Sequence, residues 1–493
     1  MDPHPPTAAL AASTAYEIAA DLAAGRTTSV EVTRALLDRI AALDDAGPEL
    51  RSVLAVSALA LDEAAALDAE RGAGTSRGPL HGVPVLVKDN IEAVGLPGSA
   101  GSLALAGRDV ARDAALVAAM REAGLVVLGA TNLSEWANMR SPHSTSGWSA
   151  VGGLTGNPWQ LDRSAGGSSS GSGAAVAAGL APLAIGTETD GSITCPSSLN
   201  GCVGLKPTVG VISTDGVVPL SGSQDSPGPM ARSVHDCALL LSALTGDPDY
   251  AAAPGSVAPR ELRLGVATGW LSGHPATDAL FRDVLTTIEG AGTTLSQADV
   301  TPVAGTGAAE LTVLVCELEE DLGGYLAARG GTGPTSLDEL VAFNAEHADL
   351  ELAHFGQEFL EMAASSEGRD DPAYAEARAR CLQWALDETL EPNFDGTDTP
   401  EFLVAPAYAP AWKSDLRGGD HFLGGGLASA APSIAGWPVL CLPMGLVDGL
   451  PVGLVLVGRP HSEARLLAAG HALEVLLDLR ESLHPTWLPP SRG

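Results

Sequence analysis

Apolar residues first settle into a helical rhythm at Val32, Leu36, Leu37, Ile40 and Leu43. The run follows Thr28-Ser29-Val30-Glu31, where a threonine N-cap and a glutamate three residues on make a capping box. An alanine-rich stretch over residues 58–69 predicts a second helix. The period then changes. Residues 83–87 are a short, continuous apolar run between Gly82 and Asp89, the pattern of a buried strand. Asp113 is placed to cap a helix running to Glu122, with Gly124 as its stop, and residues 125–128 follow as another buried strand. Strand, helix and strand in that order predict a crossover unit with parallel strands.

Towards the other end, residues 439–442 and 452–457 read as strands turned back through Asp448-Gly449, a hairpin signal. Residues 270–400 read as helix and loop, clearest at 337–345 and 373–390. The first of these opens on Ser336-Leu337-Asp338-Glu339, a second capping box. With neither an internal repeat nor a long charged linker, the economical reading is a single large α/β domain.

Composition narrows the function. Sixty acidic residues against 27 Lys and Arg leave a formal net charge of −33. Such a surface repels nucleic acid and anionic membranes, whose affinity for protein comes mainly from Lys and Arg. No uninterrupted apolar run reaches the ~18 residues of a membrane span, and Asp21, Arg26 and Glu31 break up any signal-peptide pattern. Cys195, Cys202, Cys237, Cys316, Cys381 and Cys441 are scattered without a CxxC pair, as expected of buried free thiols in a reducing compartment. These readings together place the chain in the cytoplasm. The eleven histidines show no HExxH-type spacing, so no metal site is expected.

The candidate chemistry lies in two neighbouring stretches. Gly166-Gly167-Ser168-Ser169-Ser170-Gly171-Ser172-Gly173 has a linker's composition, yet helix-compatible and then strand-like sequence resumes at once. It lacks the Lys of a phosphate-binding loop, and its match to G-x-S-x-G comes cheaply in a serine-glycine run. Next comes Gly186-Thr187-Glu188-Thr189-Asp190-Gly191-Ser192-Ile193, where a glycine turn exposes a serine among convergent backbone N–H groups, as an oxyanion hole requires. The chain has only three lysines, Lys88, Lys206 and Lys413. Lys88 ends the buried run 83–87, and a buried lysine can lose its proton and act as a base, which arginine cannot.

Residues 84–90 with Lys88-Asp89-Asn90, residues 166–172, residues 186–193 and Gly204-Leu205-Lys206-Pro207-Thr208 together resemble the amidase signature family, over nearly the whole chain. Residues 131–138, Gly147-Trp148-Ser149, residues 186–192 and residues 223–230 are most similar to the peptide amidases within it. The resemblance implies an α/β fold with a mixed, mostly parallel central sheet covered by helices. It divides the chain into N-terminal helices (1–75), a catalytic core (76–245), a variable helical substrate region (246–400) and a C-terminal part of the core (401–493). It assigns the nucleophile to Ser192, the bridging serine in a cis peptide to Ser168 and the base to Lys88. It places the oxyanion hole at the backbone of Thr189, Asp190, Gly191 and Ser192, and makes Trp136 and Trp148 candidate substrate contacts. No cofactor is implied, and the expected partner is a peptide or small-molecule amide. Ser170, Glu188, Asp190 and Thr194 depart from the common pattern, where Gly, Asp, Gly and Arg respectively are usual. The alternatives are a hydrolase of small aryl, aliphatic or indole amides, a subunit of a tRNA-dependent amidotransferase, and a non-catalytic binding protein on the same fold.

Overall fold

The run ahead of Lys88 forms the strand Pro84–Lys88, buried along its whole length. The computed structural model, which describes residues 7–300, 306–396, 399–480 and 482–485, pairs this strand in parallel with Val126–Thr131 on one side and Leu183–Glu188 on the other. The helix Ala115–Glu122 makes the expected crossover between the first two, and Gly124, at φ +83°, ends its last turn. Asp113 is not its cap. Ala114 holds that position without a side-chain bond, and the Asp113 carboxylate instead accepts from the Val94 N–H at 2.7 Å and pairs with Arg121 Nε at 2.9 Å. An acidic residue before a helix can tie two segments together as readily as cap, and the sequence does not separate the two.

Eleven strands form the central sheet, in the order Val53–Val56, Val126–Thr131, Pro84–Lys88, Leu183–Glu188, Ser226–Ala231, Val203–Lys206, Val439–Val447, Leu450–Val457, Phe402–Pro406, Arg263–Ala267, Thr294–Ala298. The sheet is mixed and helix-covered as expected, but four of its ten pairings are parallel and six antiparallel, so it is not mostly parallel. Two features supply three of the six antiparallel pairings. Asp448-Gly449 turns Val439–Val447 back onto Leu450–Val457, both residues at positive φ as a tight hairpin turn needs. Ser226–Ala231 inserts antiparallel between Leu183–Glu188 and Val203–Lys206. Its sequence, SPGPMA, hides it, because proline and glycine are normally poor strand residues.

Both faces of the central strands are buried. Along Leu450–Val457, Leu454 and Leu456 join the larger apolar core while Val455 and Val457 join a second one, and Phe402 and Val404 alternate with Leu403 and Ala405 in the same way. Alternate side chains pointing to two apolar layers produce continuous hydrophobic runs.

The capping box at Thr28 is present in full. At Ser336 only half forms: its hydroxyl accepts from the Glu339 N–H, but the Glu339 carboxylate accepts from Thr335 instead. Within residues 270–400 the structure adds a strand, Thr294–Ala298, of which only Ala298 is buried, so it carries no apolar run. The stretch 373–390 is the helix Pro372–Leu382 continued as a wider π-helix, Gln383–Leu390. All six cysteines are free and buried. Among the described residues no helix is long and apolar enough to cross a membrane.

Candidate active site

Lys88 leaves its strand pointing into protein, with no exposed surface. Its Nζ donates to Ser168 Oγ and to Thr187 Oγ1, both at 2.8 Å, and lies 3.4 Å from the Thr187 carbonyl. Burial brings its pKa down to about 7, against the opposing pull of the Asp225 and Glu188 charges. Thr187 Oγ1 also accepts from Asn90 Nδ2 at 3.0 Å, so the Lys88-Asp89-Asn90 segment and the strand Leu183–Glu188 are joined at one hydroxyl. Asp89 faces away, its carboxylate accepting from the N–H groups of Gly98 and Ser99 and from the Ser99 hydroxyl.

The serine-glycine run is a packed element. Its second half is the buried helix Ser170–Ala177, and the Gly167–Ser168 peptide ahead of it is cis. Ser172 Oγ donates to the Ile185 carbonyl at 3.0 Å, and Ser169 Oγ to the Thr187 carbonyl at 3.1 Å. A Cβ on Gly171 would stand 2.2 Å from the Ser52 carbonyl oxygen and 2.6 Å from the Asn132 nitrogen. The backbone approach that glycine permits seats Ser168 beside Lys88.

Ser192 follows Gly191, at φ +76°, and is 7% exposed. Its carbonyl accepts from the Ser169 N–H at 3.1 Å, which ties the two serine segments together. The Ser168 and Ser192 hydroxyls themselves share no hydrogen bond. Glu188 anchors the far side of the loop: its carboxylate accepts from the Ile193 and Thr194 N–H groups, each at 2.7 Å, and from Thr194 Oγ1 at 3.3 Å. The N–H groups of Thr189, Asp190, Gly191 and Ser192 have no protein acceptor among the described residues, so they remain available as donors.

A model of the amidase family matches residues 31–467. The chain belongs to the amidase family. Native peptide amidase from Stenotrophomonas maltophilia is 43% identical, with a TM-score of 0.87 over 96% of this chain and 99% of that one. Peptide amidase PAM in complex with the competitive inhibitor chymostatin is also 43% identical, with a TM-score of 0.88 over 97% and 99%. A glutamyl-tRNA(Gln) amidotransferase subunit from Symbiobacterium thermophilum is 34% identical across 92% of this chain and 94% of its own length.

In this amidase, Trp136 and Trp148 are both buried. Trp136 belongs to a buried apolar cluster that also contains Ala100, Leu105 and Leu318. Trp148 lies against Phe355 and under the Arg140 guanidinium, 5.0 Å from its ring centre. Arg140 has no exposed surface and donates to Glu135 Oε1 at 2.7 Å and to the carbonyls of Phe355 and Gly356. Replacing it by leucine strands the buried Glu135 carboxylate and is expected to destabilise the fold by about 3–5 kcal/mol, read as a lowered urea midpoint.

A cavity of about 370 Å³ opens beside the Ser192 loop, with Asp190, Glu310, Trp384, Tyr408 and Phe422 among its lining residues. Neither Trp136 nor Trp148 is on it. Sequence reasoning does not single out Thr187, Gln224 or Glu310 as site residues. Thr187 lies inside a motif whose serine is the conspicuous member. Glu310 sits on the helix Thr306–Arg329, more than a hundred residues from the Ser192 loop, and no local signal connects them.

Proposed function

We propose that this amidase releases ammonia from the C-terminal carboxamide of peptides, through an acyl-enzyme on Ser192. The observation that carries the substrate assignment is its likeness to peptide amidases, 43% identical over 97% of the chain, against 34% for the amidotransferase relative.

In this mechanism neutral Lys88 draws a proton from Ser168, which draws one from Ser192 as that oxygen attacks the amide carbon. The Lys88–Ser168 hydrogen bond of 2.8 Å supports the first transfer. The second requires the two hydroxyls to close up, and catalytic hydrogen bonds commonly tighten only once substrate is bound. At a pKa of about 7, roughly half of Lys88 is neutral at pH 7, against about one in a few thousand at the ordinary lysine value. The uncommitted N–H groups from Thr189 to Ser192 take the oxyanion. Ser168 returns its proton to the leaving nitrogen, the C–N bond breaks and ammonia departs. Water then attacks the acyl ester through the same relay, giving the peptide acid and restoring Ser192.

The test is a pair of substrates, an N-blocked dipeptide amide and a simple aryl amide, followed by ammonia release. Ammonia and peptide acid in equal amounts are expected from the first. Turnover of the aryl amide alone would retain the amidase and remove the peptide assignment.

A further inference from the structure

The cavity beside the Ser192 loop carries groups that the relay does not use. Asp190 enters it from the loop and Glu310 from the first turns of the helix Thr306–Arg329, while Trp384, Tyr408 and Phe422 provide aromatic walls. Asp190 Oδ1 is shielded from solvent and has no hydrogen-bond partner among the described residues. Glu310 Oε1 accepts from Gln224 Nε2 at 3.1 Å, an amide shared with the Thr189 carbonyl at 3.3 Å. The nearby cations act on the two carboxylates through their charge, Lys206 on Asp190 and Arg378 on Glu310, while their printed hydrogen bonds go to main-chain carbonyls: Arg378 Nη1 donates to Ile434 at 3.1 Å and Lys206 Nζ to Pro207 at 3.4 Å. Glu188 is committed to the amides of Ile193 and Thr194.

We propose that this cavity is a subsite for a cationic group of the substrate, a protonated amine or guanidinium carried by the peptide near its amide and held between Asp190 and Glu310. The inference rests on the peptide-amide reading and adds a preference to it. Carboxylates that accept charge-assisted hydrogen bonds, set among aromatic faces, favour ammonium and guanidinium groups over neutral ones. Burial together with the Asp190 charge pushes Glu310 up to about 8, and burial together with Glu188 pushes Asp190 up to about 6. An arriving cation relieves that repulsion and favours the ionised form of both. The formal charge of −33 acts in the same direction, by raising the local concentration of cationic substrate.

The experiment compares kcat/KM for N-acetyl-lysine amide and N-acetyl-norleucine amide, which differ in the terminal ammonium, in the wild type, Glu310→Gln and Asp190→Asn. The expected lysine-to-norleucine ratio is about 10 or more in the wild type, the size of one charged hydrogen bond, falling towards 1 in either variant. A wild-type ratio near 1, or an unchanged ratio in Glu310→Gln, overturns the subsite. If the aryl amide is turned over and neither amino-acid amide is, the peptide reading fails by itself. The subsite is then decided by inhibition of aryl-amide turnover with benzylammonium against benzyl alcohol. Tighter inhibition by the cation that is lost in Glu310→Gln supports the subsite, and equal inhibition overturns it.

Discussion

Ser192→Ala is expected to lower ammonia release by about 10⁴-fold or more while leaving the fold intact, the loss typical of removing a serine nucleophile. The structure separates the two effects. The loop around Ser192 is held by main-chain bonds, from Ser169 N–H to the Ser192 carbonyl and from the Ile193 and Thr194 N–H groups to Glu188, and none of these involves the Ser192 hydroxyl. Thermal unfolding of the variant should therefore match the wild type within about 0.5 kcal/mol. Activity above a few per cent in a variant with an unchanged melting curve would place the nucleophile elsewhere.

The second large effect belongs to Lys88. Removing the base in Lys88→Met should reduce kcat by about 10²–10⁴-fold, and Lys88→Arg should do no better, since arginine stays protonated. The wild-type pH profile carries the sharper signature. The active form is the neutral amine, and the Lys88 pKa is lowered to about 7. The rate should therefore rise as pH increases through about 7 and level off above it, where an ordinary lysine would still be gaining near pH 10. The negative charge of Asp225 opposes this lowering. Asp225→Asn should accordingly move the rising limb to lower pH. A flat profile between pH 6 and 9 in the wild type would remove Lys88 from the role of base.

Much of this arrangement is legible in the sequence because the relevant segments advertise themselves locally. The run ending at Lys88 is apolar on both faces, the Asp448-Gly449 turn has one dominant use, and three lysines in 493 residues make each one conspicuous. What stays hidden is set by partners far away in the chain. Ser226–Ala231 is a strand because Leu183–Glu188 and Val203–Lys206 flank it, against its own proline and glycine content. That single insertion helps shift the balance of the sheet towards antiparallel pairing. Asp113 reads as a cap because acidic residues often cap helices, and only the placement of Val94 and Arg121 shows its other use. Glu310 and Gln224 become neighbours of the Ser192 loop through the packing of the long helix, which no spacing rule anticipates.

The pairing of Val85, Leu86 and Val87 with Leu183, Ala184 and Ile185 also acts as a ruler. Side chains alternate faces along a strand, so sliding Pro84–Lys88 by one residue would rotate its last side chain to the opposite layer of the sheet. The ammonium would then meet apolar packing instead of Thr187 and Ser168, at the cost of an unpaired buried charge. Main-chain alignment between two strands thus measures out where a proton can travel, and the valines and isoleucine that keep this register guard the chemistry without taking part in it.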